Sequence, residues 1–458
     1  MKQIWRYLLL FSVCSLMTET ALSQSQVFKD LHEVKRKETI FGIARDNGLT
    51  VQELLDANPE MNTPGYELKV GAVIKIPFRK GEKVAAIQEN YAPSASKTTN
   101  AQASVDMRQR EIRVGIMLPL HKLNGDGKRM VEYYRGVLMA CDSLKANGVS
   151  TDIRAWNVNI DADIRQTLLE KGAEQCDIIF GPLYTKQMDY ISQFVKTYGI
   201  KLVIPFSING NHVASNENIY QVYQTAEELN QSAVDAFMDR FGDHNVVLVD
   251  CNDPNSNKGI FTSAVRKRLE EKKITYHVTN LSNSDDTFAR AFTTDKPNVV
   301  ILNTGRSTEL TTALGKLDAL TNANKKISVS LFGYNDWLLY EKYNLERFYK
   351  YDTYIPTYYY YNASTARTLE LENAYRKWFG ASMMNALPRF ALTGYDQATF
   401  FLRGMHTVGK GFSGNMPNKY AVQTQYKFEK VGKNGGSKNR QFMLVHYNKN
   451  KSISSITF

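Results

Sequence analysis

Glu111-Ile-Arg-Val-Gly-Ile-Met-Leu-Pro-Leu120 is the stretch from which most of the chain can be read. It is a short apolar run, entered from the charged segment Asp106-Met-Arg-Gln-Arg-Glu111 and closed by Pro119, the pattern of a buried parallel strand. A polar loop follows, then a helix whose apolar residues Met130, Tyr134, Val137, Leu138, Cys141 and Leu144 recur at steps of three and four. Strand, loop and helix in that order open a doubly wound sheet.

The same alternation continues toward the C-terminus. Strands are expected at Ile153–Val158, Cys176–Phe180, Lys201–Ile204, Asn245–Val249, Ile274–Val278, Asn298–Leu302 and Ile327–Phe332. Helical stretches such as 186–196, 227–240 and 257–272 lie between them. Continuous β-branched runs alternating with amphipathic helices imply an α/β fold, a parallel sheet covered on both faces. The alternation exceeds what one lobe needs, so two lobes are expected, and 458 residues are ample for several domains.

Toward the N-terminus, residues 1–23 carry Lys2 and Arg6, an apolar stretch from Tyr7 to Met17 and the small-residue pattern Ala21-Leu-Ser23, as in a cleaved secretory signal. Cys14 is not expected to carry a lipid, because Phe11-Ser-Val13 lacks the small residue usual before such a cysteine. No later run is long enough for a membrane helix, so an exported, soluble protein of the periplasm or cell envelope is expected. Past the signal the cysteines are Cys141, Cys176 and Cys251, an odd count that leaves at least one thiol unpaired; all three read as small buried hydrophobes. The net charge of +11 suits an anionic setting, yet there is no zinc-finger spacing or arginine-aromatic tract, so nucleic acid is not an expected partner.

Residues 32–77 form the first folded unit. His32-Glu-Val34 is a short strand; a helix capped by Thr39 carries Ile40, Ile43 and Ala44; a second, capped by Thr50, carries Val51, Leu54 and Leu55; Val73-Ile-Lys-Ile76 closes a βααβ pattern. Glu38-Thr39 before the first helix, Leu54-Leu-x-x-Asn58-Pro59 at the end of the second and Val70-Gly-x-x-Ile-x-Ile-Pro77 together make the unit resemble a LysM module over its whole length. That resemblance implies binding to N-acetylglucosamine-containing glycan, chiefly peptidoglycan, in a shallow groove. Carried over by position, Glu38, Thr39 and Ile40 line one side of it and Asn58, Pro59 and Met61 the other. Lys37 stands where the family usually has glycine, and Thr39 and Asn58 are equally the residue types of helix caps and turns. Residues 78–110 lose all periodicity, and Ala92–Ser104 has the composition of a flexible spacer; a coil of about 30 residues reaches on the order of 30 Å, enough to leave the module free of the rest.

From Glu111 to Phe458 the chain is similar to type I periplasmic binding proteins, in the style of branched-chain amino acid receptors. The segments that carry this are Val114–Leu120, Tyr134–Ala140, Cys176-Asp-Ile-Ile-Phe-Gly-Pro182, Leu202-Val-Ile-Pro-Phe-Ser207, Pro297–Leu302 and Ala391-Leu-Thr-Gly-Tyr-Asp396. The resemblance implies hinged closure over a ligand and three crossovers, placed near Tyr223, Tyr351–Pro356 and Gly411–Tyr420. Lobe 1 is then 111–222 with 357–412, and lobe 2 is 223–356 with 413–458. Tyr358-Tyr-Tyr-Tyr361 is expected to be a strand packing its rings between the lobes. Ligands of open α/β sheets sit beyond the carboxyl ends of the strands. Those ends supply His121, Tyr184, Thr185, Ser207, Asn209, Asp253, Tyr334 and Asp336 as candidate solute contacts: hydroxyls and amides for a carboxylate, Asp253 or Asp336 for an amine. Any one of them is also a residue type that caps helices or makes turns.

No HExxH helix, phosphate-binding glycine loop or GxSxG elbow is present, and the histidines are scattered. Asp250-x-Asn252-x-Pro254 begins like a calcium loop but places proline at a ligand position. The expectation is a binding protein with no enzymatic activity, cofactor or metal, whose partners are peptidoglycan, a small amino acid or peptide-like solute, and wall or transporter membrane proteins. The alternative is a peptidoglycan-bound scaffold or regulator of wall synthesis whose lobes take up no solute.

Overall fold

The computed structural model describes residues 28–36, 38–63, 66–78, 106–206 and 208–458. The expected signal peptide, Cys14, Lys37, Ser207 and residues 79–105 of the spacer lie outside them. The N-terminal unit pairs β1 (Phe28–Glu33) antiparallel with β2 (Val73–Pro77), and α1 (Ile40–Asp46) and α2 (Val51–Ala57) lie between them in the chain. Thr39 caps α1 by accepting from Gly42 N, and Thr50 forms a reciprocal capping box with Glu53 on α2. Ile43, Leu54, Ile74 and Ile76 are the centre of its core.

The body opens with β3 (Ile112–Leu118), α3 (Gly125–Lys145), β4 (Thr151–Asn157), α4 (Ile164–Leu169), β5 (Ile178–Phe180), α5 (Met188–Tyr198), β6 (Lys201–Ile204), α6 (His212–Ser215) and β7 (Ile219–Gln221). The chain then leaves this sheet and builds a second one from α7 (Ala226–Phe241), β8 (Asn245–Asp250), α8 (Gly259–Glu271), β9 (Tyr276–Asn280), α9 (Asp285–Ala289), β10 (Asn298–Leu302), α10 (Ser307–Ala323), β11 (Val329–Leu331), α11 (Glu341–Lys350) and β12 (Thr353–Thr357). It returns for α12 (Ala366–Phe379), α13 (Phe390–Val408), β13 (Phe428–Lys430) and β14 (Ser437–Asn439), and ends with β15 (Met443–Tyr447) and β16 (Ile453–Thr457).

The lobe 1 sheet runs β13-β14-β7-β6-β5-β3-β4, parallel except for β13. The lobe 2 sheet runs β11-β10-β8-β9, all parallel, and a parallel bridge from Phe332 to Tyr354 joins it to the antiparallel set β12-β15-β16. β7 and β12 both hand the chain to the opposite lobe from their carboxyl ends, so both sheets turn those ends toward the hinge. The third crossover is not at Gly411–Tyr420. β13 and β14 remain in the lobe 1 sheet, with β14 parallel to β7, and the chain changes lobe only over Arg440–Phe442. Asp396 explains why: buried on α13, it accepts backbone N–H groups from Val422, Gln423 and Thr424, each at 2.8 Å, and so fastens the preceding loop to lobe 1. Tyr358–Tyr361 is not a strand; it is the irregular second crossover, tied by Tyr360 N to Gln423 O at 2.8 Å.

α3 also departs from the one-sided helix that its spacing suggests. Every residue from Met130 to Cys141 is buried, Glu132 and Arg135 included. The helix has four neighbours: the sheet, α12, α13 and the N-terminal unit. Against α13 the backbones touch, because a methyl group added at Gly136 would overlap the Ala391 carbonyl, and one at Gly394 the Tyr133 carbonyl. Against the N-terminal unit, the Phe28 and Tyr134 rings lie 5.3 Å apart and Arg135 donates to Asp30 at 2.9 Å. The unit is therefore not held clear of the body. Both ends of the spacer are packed as well, Phe78 beside Trp378 and Met107 in the lobe 1 core. Cys141, Cys176 and Cys251 are buried free thiols, and no helix of the described residues is long and apolar enough to cross a membrane.

Two outcomes follow from this packing. Gly136→Val and Gly394→Val would each gain up to about 1 kcal/mol of helix propensity, yet must push two backbones apart. Each is expected to destabilise by about 1–3 kcal/mol net, and thermal melting at the wild-type temperature would refute the contact. At the hinge, Glu228 accepts from Thr225 N at 3.0 Å, Lys438 at 3.1 Å and Arg440 at 2.8 Å. Burial by itself would raise its pKa, but the Thr225 N–H and the two cations outweigh it and push it down from 4.5 to about 2. A depressed carboxylate contributes stability above its unfolded pKa and loses it as the pH falls toward the folded one. Glu228→Gln should therefore melt below the wild type at neutral pH, with the gap closing as the pH falls from 4.5 toward 2; a pH-independent gap would contradict the role.

Candidate functional site

The glycan-facing residues of the N-terminal unit divide by burial. Asn58 is fully buried: its Nδ2 donates to Leu54 O at 2.8 Å and Lys75 O at 2.7 Å, and its Oδ1 accepts from Lys75 N at 2.7 Å. It fastens the end of α2 to β2, so its amide is not offered to a sugar. Met61 is likewise in the core. Glu38 is half-buried and committed locally, accepting from Lys35 N and from His32 Nε2, both at 2.7 Å. The Lys35 N–H first, and His32 after it, hold its pKa below the usual carboxylate value. Thr39 and Pro59 are exposed and Ile40 half-buried. Beside Thr39 and Ile40 stands Phe41, 65% exposed, an aromatic ring that the apolar periodicity passed over. It lies outside the Ile40, Ile43, Ala44 stripe, and an aromatic off the core stripe of a short helix is the signal that could have found it.

In lobe 1, His121 follows β3 and is buried, its Nδ1 accepting from Leu123 N at 3.3 Å. Burial depresses its pKa, against an opposing pull from Asp126, so the imidazole is neutral at pH 7. Tyr184 donates to Asp126 at 3.4 Å, which gathers His121, Asp126 and Tyr184 at one strand end. Thr185 accepts from Asn209 N at 3.3 Å, and both are exposed. Asp126 escaped the sequence reading because it sits in the first turn of α3 and reads as a helix-end charge.

Lobe 2 presents two closed pairs. The Asp253 carboxylate has no exposed surface; it accepts from Thr304 Oγ1 at 2.8 Å and lies 3.6 Å from Arg306. It therefore does not face a solute amine, contrary to expectation, because the turn into α8 folds it under β10. Asp336 is partly exposed but paired with Lys258 at 2.6 Å, and the same ammonium lies 5.2 Å from the centre of the Tyr334 ring. Tyr334 is buried, and its hydroxyl has no hydrogen-bond partner among the described residues. Lys258 and Arg306 were missed because both are basic residues at the entry of a helix, where the macrodipole favours acidic ones.

A row of aromatic rings runs across the hinge beside the Glu228 ion pairs. Tyr133 and Phe206 are 5.5 Å apart, Phe206 and Tyr223 5.4 Å, Tyr223 and Tyr358 4.8 Å, and Tyr358 and Tyr359 5.2 Å. Burial, then Tyr358, then Asp336 push the Tyr359 hydroxyl well above its ordinary pKa. The site thus has an apolar floor through the hinge, a polar set that includes the Asp126 carboxylate in lobe 1 and a paired-charge set in lobe 2. Among the described residues no three His, Cys, Asp or Glu side chains converge as a metal ion would need.

Comparison with known proteins gives the families of the two regions. The LysM domain model matches residues 32–77, and the model described as periplasmic binding protein matches residues 111–426. A search of curated proteins finds no match. Similar solved structures include a putative branched-chain amino acid ABC transporter from Rhodospirillum rubrum at 16% identity and TM-score 0.47, covering 76% of this chain and 96% of that one. An ABC transporter substrate-binding protein from Desulfitobacterium hafniense, in complex with Leu, is similar at 14% identity and TM-score 0.40, covering 76% and 100%. The family model alone spans well over half of the sequence, so the chain belongs to the periplasmic binding protein family and carries a LysM domain ahead of the binding fold.

Proposed function

We propose that this is an exported, wall-associated binding protein without enzymatic activity: its LysM domain holds N-acetylglucosamine-containing peptidoglycan, and its two lobes take up a small amino acid or peptide-like solute. The observation that carries the solute reading is the meeting of both sets of strand carboxyl ends over a row of aromatic rings, with polar groups on either side. Apolar floor plus a few oriented polar groups is what a small-molecule site requires. Neutral His121, Tyr184 and Thr185 suit a carboxylate or amide, and the Lys258–Asp336 pair can open to meet one charged end of a solute. The signal-like N-terminus supports export.

One observation favours a second reading, a scaffold or regulator of wall synthesis whose lobes take no solute. Every acidic candidate is already satisfied inside lobe 2, Asp253 by Thr304 and Arg306, Asp336 by Lys258. Opening such a pair leaves a charge unpaired and costs more than the pair itself contributes.

A thermal-shift screen of the full chain against amino acids, short peptides and muropeptides separates the two. A true ligand at 100 times its Kd is expected to add about 2.7 kcal/mol of stability, whereas no shift with any class would leave the scaffold reading. For the glycan, Phe41→Ala is expected to weaken retention on purified peptidoglycan several-fold, while Asn58→Ala should lower stability by about 1–3 kcal/mol for its lost buried hydrogen bonds. Full retention by a protein lacking residues 32–77 would remove the wall-binding role.

A further inference from the structure

The β1–β2 ribbon has two faces, and only one belongs to the LysM core. Leu54, Ile74 and Ile76 fill that core, whereas Phe28, Leu31 and Phe78 are buried within the core of lobe 1, with Val73 packed beside them. Phe28 stands opposite Pro77 in the ribbon register, so the Phe28 and Phe78 rings leave the same end of the ribbon, one against Tyr134 of α3 and the other against Trp378 of α12. Between them Asp30 Oδ1 accepts from Lys122 at 2.7 Å and from Arg135 at 2.9 Å. Arg135, only 9% exposed, also donates to Tyr375 at 2.8 Å and pairs with Glu132. Two cations and two carboxylates balance there, and releasing the ribbon would strip Arg135 of Asp30 while exposing three large apolar side chains. That combination of an apolar patch and a buried, balanced charge group is the anatomy of a stable interface.

We propose that the LysM domain and lobe 1 are a single body, with the β1–β2 ribbon as a built-in docking face, so that lobe 2 is the only part free to swing. Lys122 follows His121 directly, so one loop meets the LysM domain on one side and the candidate solute site on the other. Where the LysM domain binds wall glycan, a consequence resting on the reading above, attachment holds lobe 1 in place and sets how the mouth of the site is presented.

The test is amide relaxation in the deuterated full-length protein, compared with the double variant Phe28→Asp, Leu31→Asp. In the wild type, α1 and α2 amides are expected to share the correlation time of α3 amides. In the variant, whose LysM core residues are untouched, they should tumble several-fold faster while keeping dispersed shifts. Wild-type α1 and α2 amides that already tumble as a small free unit would overturn the proposal, as would a variant that tumbles like the wild type. If the substitutions unfold the LysM domain, hydrogen exchange decides: α3 amides around Tyr134 to Leu138 must exchange faster once uncovered, and unchanged protection overturns it. Neither readout involves glycan, so failure to bind peptidoglycan leaves this result standing by itself.

Discussion

Two helices in backbone contact set the geometry of this protein. α3 and α13 approach through Gly136 and Gly394 at a distance that no side chain permits. Glycine inside a helix is unfavourable in isolation by about 0.5–1 kcal/mol relative to alanine, so its presence in both helices is explained by the close packing that it permits. At that separation Tyr133 of α3 donates to Gln397 of α13 at 2.7 Å, and Gln397 in turn donates to Pro205 O at 3.0 Å. The carboxyl end of β6, and with it Phe206, is therefore positioned from behind by the helix pair. One residue along α13, Asp396 fastens the loop over Val422–Thr424, whose Gln423 receives the second crossover through Tyr360.

The hinge inherits its order from this arrangement. The three crossovers are not independent strings: Gln224 of the first donates to Gln441 O of the third at 2.8 Å, and Glu228 gathers Lys438 and Arg440. Tyr223 of the first crossover packs on Tyr358 of the second. Rings packed edge to face are held less directionally than a network of hydrogen bonds. Asp253 and Asp336 are paired within lobe 2, whereas Glu228 of that lobe is paired across the hinge.

Much of this was legible in the residues. The buried strands announce themselves as apolar, β-branched runs, and eight of the parallel strands, β3 to β6 and β8 to β11, overlap the expected runs, because a strand covered on both faces has no polar alternation to blur it. The caps Thr39 and Thr50 were equally readable, since capping depends on four consecutive residues and nothing distant. The candidate sites were less so. Asn58 and Met61 sit at the family's groove positions, yet the fold turns both inward, and Asp253 lies at a strand end but beneath β10. Position along the chain says which loop a side chain belongs to; the direction in which it points depends on packing.

What the sequence by itself determined is the α/β alternation, the two parallel sheets, the βααβ unit and the family to which each half belongs, all properties of local periodicity and short motifs. What only the tertiary structure decided is which surfaces meet. The spacing of Met130, Tyr134, Val137 and Leu138 describes a helix with one buried face, whereas the folded chain surrounds α3 on all sides, with Phe28 and Asp30 arriving from more than ninety positions away. The same long-range pairing keeps β13 and β14 in the first sheet until Arg440. Such contacts are set by complementary shape and charge between distant segments, and no local pattern in either segment encodes its partner.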